Sequence, residues 1–263
     1  MAVADADRRR EQLVEFWREL RDCQKCPLAA GRTQVVFGSG NADADLMFVG
    51  EAPGYHEDRQ GKPFVGRAGK LLDELLAGIG LDRGHCFIAN VLKCRPPDNR
   101  DPHPGEVEAC KGHLFKQVEL IEPRVVCTLG NFATRLLSGR PDGISKVRGV
   151  PQVRELAGRA VFLYPIYHPA AALRTPAMLD QLRDDFERLP KLLNEAPPDL
   201  SIAERPTPPP VPEPTPPPIP EPHPPPVPEP TPPPIPEPYP PAPELVAASA
   251  TAEHADEEQL GLF

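Results

Sequence analysis

The sequence predicts an α/β fold built around a mostly parallel sheet of four strands, followed by a tail without a core. Short apolar runs alternate with segments of helical periodicity, and glycine or polar residues follow the apolar runs. The chain has 263 residues and 40 prolines, and most of the prolines lie in residues 206–244. About 195 residues remain, which suits one domain with a single core.

The elements follow one another in regular order. Leu13, Phe16, Trp17 and Leu20 recur at helical spacing and predict a first helix over about residues 8–21. Apolar runs predict strands at 45–50, 86–91, 124–130 and 160–164. Helical patterns separate and follow them at 71–79, 104–120, 131–138 and 178–193. Strands that alternate with helices favour parallel pairing.

In such sheets, ligands bind at the carboxyl ends of the strands. Those ends are predicted at residues 50–51, Asn90, residues 130–131 and residues 167–168. The loop at residues 50–66 is rich in glycine, proline and acids, and it contains Phe64. We interpret it as one wall of a pocket for a small, planar, polar ligand that stacks on Phe64.

The charge is unevenly distributed. The formal net charge is −9, and residues 201–263 account for all of it with ten acids and one arginine. The preceding part is neutral, so the acidic balance does not exclude a nucleic-acid partner.

Several classes are excluded by hydropathy. No apolar stretch is long enough to cross a membrane. Arg8, Arg9 and Arg10 precede a charged helix rather than an apolar segment, so we expect no signal peptide and a cytoplasmic protein. In that compartment, cysteines are more often metal ligands or buried thiols than disulfides.

The six cysteines fall into two groups. Cys23 and Cys26 form a C-x2-C pair, and Cys94 and Cys110 lie in a distant segment. These four can build a four-thiolate site, and their spacing leaves zinc and iron–sulfur equally open. The other two cysteines, at positions 86 and 127, lie inside predicted strands, where we expect buried thiols.

Three segments together carry a family resemblance over about residues 10–195. The segments are GEAPGYHEDRQGKPFVGRAGKLL, ANVLKCRPPDNRDP and YHPAAALR. They resemble the signature segments of the family 4, iron–sulfur uracil-DNA glycosylases. The resemblance implies a three-layer α/β/α sandwich and a [4Fe–4S] cluster on Cys23, Cys26, Cys94 and Cys110. It also implies hydrolysis of the N-glycosidic bond of deoxyuridine in DNA, which releases uracil and leaves an abasic site.

The resemblance also implies roles for residues. Phe64 would stack on the extruded base, Asn90 would read its edge, and His168 would lie near uracil O2. We assign the water-orienting carboxylate to Glu57 and the pocket wall to Glu51. The complete set implied for base binding is Glu51, Ala52, Gly54, Phe64, Asn90 and His168, and the catalytic set is Glu57, His168 and Glu51.

The implied partner is uracil-containing DNA, single- or double-stranded, bound by a monomer. DNA affinity should come from basic residues that meet phosphates. Leu173 is a candidate wedge for the gap that the extruded base leaves. The candidate DNA-contacting residues are Lys93, Arg95, Arg148, Leu173 and Arg174.

The tail divides into a linker, predicted at 196–256, and a terminal peptide at 257–263, after a catalytic domain at 1–195. A proline-rich repeat of period eight favours extended polyproline II and a spacer role. The peptide resembles the motif by which bacterial repair proteins bind the sliding clamp. Its candidate clamp-binding residues are Gln259, Leu260, Leu262 and Phe263.

Three other readings stay open. One is a non-catalytic uracil-DNA-binding protein of the same fold. The second is a relative that crosslinks covalently to uracil-DNA through a histidine in an inserted basic loop; no such insertion lies between Cys94 and Cys110. The third is a zinc-bound structural module.

Overall fold

A computed structural model describes residues 2–204. A six-stranded sheet lies at its centre, with the strand order β1-β3-β2-β4-β6-β5. The strands are β1 (Ser39–Gly40), β2 (Leu46–Gly50), β3 (Cys86–Asn90), β4 (Val125–Leu129), β5 (Gln152–Leu156) and β6 (Arg159–Ile166). The four inner strands pair in parallel, and the two edge strands pair antiparallel.

The sheet corrects the predicted strand number from four to six. The four parallel strands are those that the apolar runs predict, and the additional two are the edges. β1 has only two residues, and β5 carries Gln, Arg and Glu, so neither presents a continuous apolar run. A strand buried on one face, or barely buried, has no such run to detect.

Eight α-helices occur in the described part of the chain. They are α1 (Ala2–Leu20), α2 (Tyr55–Gln60), α3 (Arg67–Gly78), α4 (Pro104–Ile121), α5 (Asn131–Ser138), α6 (Ile144–Val147), α7 (Pro169–Ala172) and α8 (Pro176–Leu193). Side chains of β2 alternate between two cores: Met47 and Val49 face α1, α4 and α5, whereas Leu46 and Phe48 face α3, α7 and α8. The three-layer α/β/α architecture is therefore confirmed.

The folded part continues beyond the predicted boundary at residue 195. A short 3-10 helix at Leu200–Ile202 leads to Glu204, whose carbonyl accepts a hydrogen bond of 2.9 Å from the Glu155 amide on β5. The Arg154 guanidinium lies 3.0 Å from the Glu204 carboxylate. The described fold therefore extends to Glu204, and the rest of the linker predicted at 196–256 lies outside the described residues. The terminal peptide lies outside the described residues.

Candidate active site

The carboxyl ends of β2, β3 and β6 bring three predicted residues to one place. The ring centroids of Phe64 and His168 lie 5.5 Å apart, with 31° between the ring planes. A Cβ placed on Gly50 would collide with Asn90 Oδ1 and would lie 2.8 Å from Phe64 Cζ. Phe64, Asn90 and His168 therefore converge beside Gly50, and we call the place where they meet the slot.

The backbone at Phe64 is unusual and strongly held. Its φ is 53°, in the left-handed region, which costs a non-glycine residue about 1–2 kcal/mol. The Arg83 guanidinium donates to the carbonyls of Phe64 at 2.5 Å and Pro63 at 3.1 Å. Gly69 approaches the Phe64 carbonyl so closely that no Cβ fits there. These contacts fix the direction of the Phe64 ring.

Asn90 ends β3 with its side chain 2 % exposed. Its amide group makes no hydrogen bond to any residue in 2–204, although its backbone carbonyl accepts from the Lys93 ammonium at 2.8 Å. The Asn90 amide atoms are not among the fully buried, unpartnered side-chain atoms of residues 2–204, so they keep some contact with solvent. The amide is therefore poised to donate to and accept from a ligand in the slot.

The tautomer of His168 follows from its contacts. The Ala170 amide donates to His168 Nδ1 at 3.1 Å, so Nδ1 is an acceptor and the proton lies on Nε2. Burial lowers the pKa of His168 to about 4, and the nearby Glu57 charge opposes this only in part. The ring is thus neutral at pH 7 and offers an Nε2–H donor.

The two glutamates differ in their surroundings. Glu57 Oε1 accepts hydrogen bonds of 3.1 Å from the amides of Val65 and Gly66, which ties α2 to the start of α3. Glu57 Oε2 accepts none from the described residues. Burial, together with the charge of Asp101, raises the pKa of Glu51 and so disfavours its ionised form.

Ala52 and Gly54 line the same loop. Ala52 is half-buried and packs against the core beneath the loop. A Cβ on Gly54 would lie 2.7 Å from Glu57 Oε2, so a larger residue would displace that carboxylate oxygen. Gly54 therefore leaves room for Glu57 as well as for a ligand.

The four candidate metal-binding cysteines line one small cavity. Nitrogen donors surround the sulfurs: the Lys93 amide is 3.3 Å from Cys110 Sγ, and the Arg32 guanidinium is 3.5 Å from Cys94 Sγ. His113 Nε2 lies 3.6 Å from Cys23 Sγ. Among residues 2–204, no three His, Cys, Asp or Glu side chains are placed to bind one metal ion.

The two remaining cysteines lie in the strands, as predicted. Cys86 and Cys127 are fully buried. Burial raises the pKa of the Cys86 thiol to about 12 and that of Cys127 well above its ordinary value. Both thiols therefore stay protonated.

The structure separates the predicted DNA-contacting residues. The prediction for Lys93 is wrong: its side chain is 1 % exposed, and its ammonium donates to Gln117 Oε1 at 2.6 Å and to the Asn90 carbonyl. Arg148 is half-buried and forms two 3.1 Å hydrogen bonds to Asp185. Leu173, 40 % exposed, and the exposed Arg174 follow α7 directly, close in sequence to His168.

Sequence reasoning missed Arg83 and Gly69. Both contact the backbone of Phe64, Arg83 from 19 residues away and Gly69 from five residues away. Neither carries a local signal, because an arginine after a helix and a glycine within one are ordinary in sequence.

Within residues 2–204, no helix has the length and apolarity that crossing a bilayer requires.

Comparison with known proteins agrees with this architecture. Residues 37–193 match the sequence profile of the uracil DNA glycosylase superfamily. The type-4 uracil-DNA glycosylase of Archaeoglobus fulgidus is 46 % identical over 194 residues, which cover 72 % of this chain and 98 % of that protein.

Two further relatives extend the comparison. The type-4 uracil-DNA glycosylase of Thermotoga maritima is 47 % identical over 167 residues, covering 63 % of this chain and 85 % of the relative. The type-5 uracil-DNA glycosylase of Pyrobaculum aerophilum is 30 % identical over 216 residues, covering 70 % and 92 %. With a family profile over most of the folded part and type-4 relatives matched over most of their length, this chain belongs to the uracil DNA glycosylase superfamily as a type-4 member.

Proposed function

We propose that the chain hydrolyses the N-glycosidic bond of deoxyuridine in DNA, releasing uracil and leaving an abasic site. The observation that carries this proposal is the slot, where an aromatic ring, the Asn90 amide and a neutral imidazole N–H converge. The relatives described above are named as uracil-DNA glycosylases. The residues of the slot have the chemistry to hold uracil.

Uracil reaches the slot only when its nucleotide is extruded from the stack. Phe64 then offers its ring as the stacking surface, in an orientation fixed by Arg83. The Asn90 amide both donates and accepts, which matches the N3–H and O4 of uracil and mismatches the amino group of cytosine. The buried, unpartnered amide thus discriminates between the two pyrimidines.

Bond cleavage places negative charge on the departing uracil. In our proposal, His168 Nε2–H points at uracil O2, where that charge develops. Such a preorganised donor lowers the barrier by about 3 kcal/mol. The imidazole acts while neutral, because burial keeps its pKa near 4.

We assign the carboxylate that orients water and stabilises the cationic sugar to Glu57. Its Oε2 has no partner among the described residues, whereas Oε1 is held by two backbone amides. Glu51 is less suited to carry the negative charge, because burial and Asp101 raise its pKa. We keep Glu51, Ala52 and Gly54 as walls of the uracil site.

Cys23, Cys26, Cys94 and Cys110 would hold a [4Fe–4S] cluster. The donor set fits: four sulfurs share one cavity, and nitrogen donors approach three of them. The four sulfurs do not converge as the ligands of a single metal ion do. A multi-iron cluster holds its thiolates farther apart than a single ion does. The cluster would supply a cross-link between α1, α4 and the loop after β3. Reduced thiols of this kind are typical of the cytoplasm, which is the compartment we propose.

DNA contacts beyond the base are assigned to Arg95, Arg148, Leu173 and Arg174. Leu173 is exposed and apolar beside the slot, which suits a wedge that fills the space of the extruded base. Arg148 keeps one face toward solvent although Asp185 pairs with it. We expect a monomer to bind single- or double-stranded DNA.

The decisive experiment measures uracil release from single- and double-stranded oligonucleotides that carry one deoxyuridine, followed by alkaline cleavage. Wild type should generate alkali-labile sites, and Glu57→Gln should lose more activity than Glu51→Gln. Intact strands with folded wild type would favour a non-catalytic binder. A protein–DNA adduct that survives denaturation would favour the crosslinking alternative.

The cluster has its own test. Purified wild type should be brown, with visible absorbance and iron at about four atoms per chain. Cys94→Ser should lose the colour, whereas Cys127→Ser, the matched change inside the sheet, should keep it. A colourless protein that contains zinc would overturn the assignment.

For the tail, we propose a spacer that begins after residue 204 and a clamp-binding peptide made of Gln259, Leu260, Leu262 and Phe263. Tethering to a clamp raises the local concentration of enzyme on DNA without new contacts. Deletion of residues 259–263 should abolish capture by immobilised bacterial sliding clamp and leave activity on short oligonucleotides unchanged. Equal capture of the deleted and full chains would refute the peptide's role.

A further inference from the structure

A surface cluster beside the slot is not used by the proposed reaction. We call it the tyrosine–arginine cluster: Tyr55, Arg59 and Arg95. Tyr55 is the first residue of α2 and is 50 % exposed, which is unusual for a large aromatic side chain. The guanidinium carbons of Arg59 and Arg95 lie 5.8 Å and 5.3 Å from the centre of its ring. One ring thus holds two cations that would otherwise repel each other.

Neither guanidinium is neutralised within the described part of the chain. Arg59 donates to the Tyr55 hydroxyl at 3.4 Å, and Arg95 donates to the Asn99 side-chain oxygen at 2.7 Å. No carboxylate of residues 2–204 lies within 4.0 Å of either. The cluster therefore carries two positive charges toward solvent.

Other arginines near the site differ in this respect. Arg100 forms hydrogen bonds of 2.6 Å and 2.9 Å to the two oxygens of Glu106. Arg148 forms a similar pair of bonds with the buried Asp185. Because these charges are already paired, they attract an anion less than the cluster does.

The cluster lies on the loops that follow β2 and β3, the two strands that end at Gly50 and Asn90. Tyr55 directly follows Gly54, and the same short helix carries Glu57. Arg95 directly follows Cys94, on the loop after β3. The two loops are joined where the Leu92 amide donates to the Glu51 carbonyl at 3.0 Å. An anion held by the cluster is therefore within reach of a nucleotide whose base occupies the slot.

We propose that the tyrosine–arginine cluster is a clamp for the DNA phosphates that flank the extruded nucleotide. This inference rests on the proposed function. A guanidinium presents paired N–H donors that match phosphate oxygens, and Tyr55 holds two of them in place before DNA arrives. The preorganised pair loses less side-chain freedom on binding than two mobile arginines would.

The test is the salt dependence of binding to a fluorescent single-stranded oligonucleotide without uracil, measured by anisotropy from 25 to 200 mM KCl. Each phosphate contact on a single strand contributes about 0.7 to the magnitude of the slope of log K against log salt. At about 0.1 M salt, that contribution corresponds to about fivefold in affinity. Arg59→Ala and Arg95→Ala should each lower the slope by about 0.7 and weaken binding about fivefold. The double variant should show about twice the change in slope.

Three further variants refine the test. Tyr55→Phe keeps the ring and should bind as wild type does, whereas Tyr55→Leu should weaken binding while leaving the charge unchanged. Arg183→Ala removes an exposed charge from α8 and should leave the slope unchanged. Thermal melting of each variant checks that the fold is intact.

The outcomes separate this clamp from the proposed function. A lower slope in the arginine variants supports the clamp even if wild type releases no uracil, in which case the proposed reaction alone fails. Slopes equal to wild type in the folded double variant would overturn the clamp, even if wild type excises uracil. When both hold, the half-saturating enzyme concentration for uracil release should rise by the same factor as Kd.

Discussion

The interior of the sheet and its carboxyl edge are built from adjacent residues but have opposite properties. Inside, all residues of β2, β3 and β4 are buried, and their side chains pack into two apolar cores. At the edge, the Asn90 amide lacks a protein partner, Phe64 has left-handed backbone, and His168 is held neutral. The interior therefore provides stability, and the edge retains unsatisfied groups for a ligand.

The cysteines show the same contrast. Cys86 and Cys127 lie among apolar strand residues; burial raises the pKa of their thiols, as it does for Cys94 and Cys110, so the pKa does not separate the two groups. The four other cysteines, three in loops and Cys110 within α4, line a cavity, and three of them lie near nitrogen donors that stabilise sulfur ligands. The surroundings, and not the residue type, thus decide which cysteines suit a metal.

The largest expected effect is on stability and comes from the interior. Phe48 is fully buried, and its ring stacks on Phe186 with centroids 5.7 Å apart. Phe48→Ala should lower the free energy of unfolding by about 3–5 kcal/mol, measured by urea denaturation. Uracil release per folded molecule should stay as in wild type. A lower turnover of the folded variant would contradict the separation between interior and edge.

His168→Ala tests the edge. Loss of the Nε2–H donor should reduce the single-turnover rate of uracil release by about 10²–10³-fold. The free energy of unfolding at pH 7 should change by less than about 1 kcal/mol, because the neutral ring makes one hydrogen bond to the backbone. His168→Gln retains an N–H donor and should recover part of the rate. A rate within threefold of wild type would exclude His168 from transition-state stabilisation.

Arg83→Met tests the support behind Phe64. Without its hydrogen bonds to the Phe64 and Pro63 carbonyls, the strained backbone should relax and the ring should lose its orientation. We expect about tenfold weaker inhibition by free uracil, since about 1–2 kcal/mol of strain is no longer held. Arg83→Lys should restore part of the inhibition. Unchanged inhibition in folded Arg83→Met would show that Phe64 keeps its conformation unaided.

The last expected effect is the pH dependence of stability that His168 causes. The pKa of His168 is about 4 in the folded chain, below its ordinary value of 6.5. As pH falls, His168 of the unfolded chain is therefore protonated before His168 of the folded chain. This contribution to stability is constant above pH 6.5 and falls by at most about 1.4 kcal/mol per pH unit as pH drops toward 4. His168→Gln should show a shallower slope of unfolding free energy over that window. Equal slopes in both proteins would mean that His168 titrates alike in the folded and unfolded states.

Much of the fold could be predicted because the inner strands are continuous apolar runs. The runs at β2, β3 and β4 place Gly50, Asn90 and Gly130 at their carboxyl ends, where parallel strands present ligands. The edge strands could not be predicted, because β1 is too short and β5 too polar to show a pattern. The membership of Phe64, Asn90 and His168 in one site came from motif resemblance, and the structure brings their side chains together.

The sequence by itself determined which residue types are available: an aromatic residue, an amide, an imidazole and two acids near strand ends, and four cysteines apart from the strands. Only the tertiary structure decided which of them act together. It buried Lys93 beneath Asn90, placed Arg83 behind Phe64, and gathered two arginines on Tyr55. The physical reason is that burial and long-range hydrogen bonds depend on packing between segments far apart in the chain, which local periodicity does not encode.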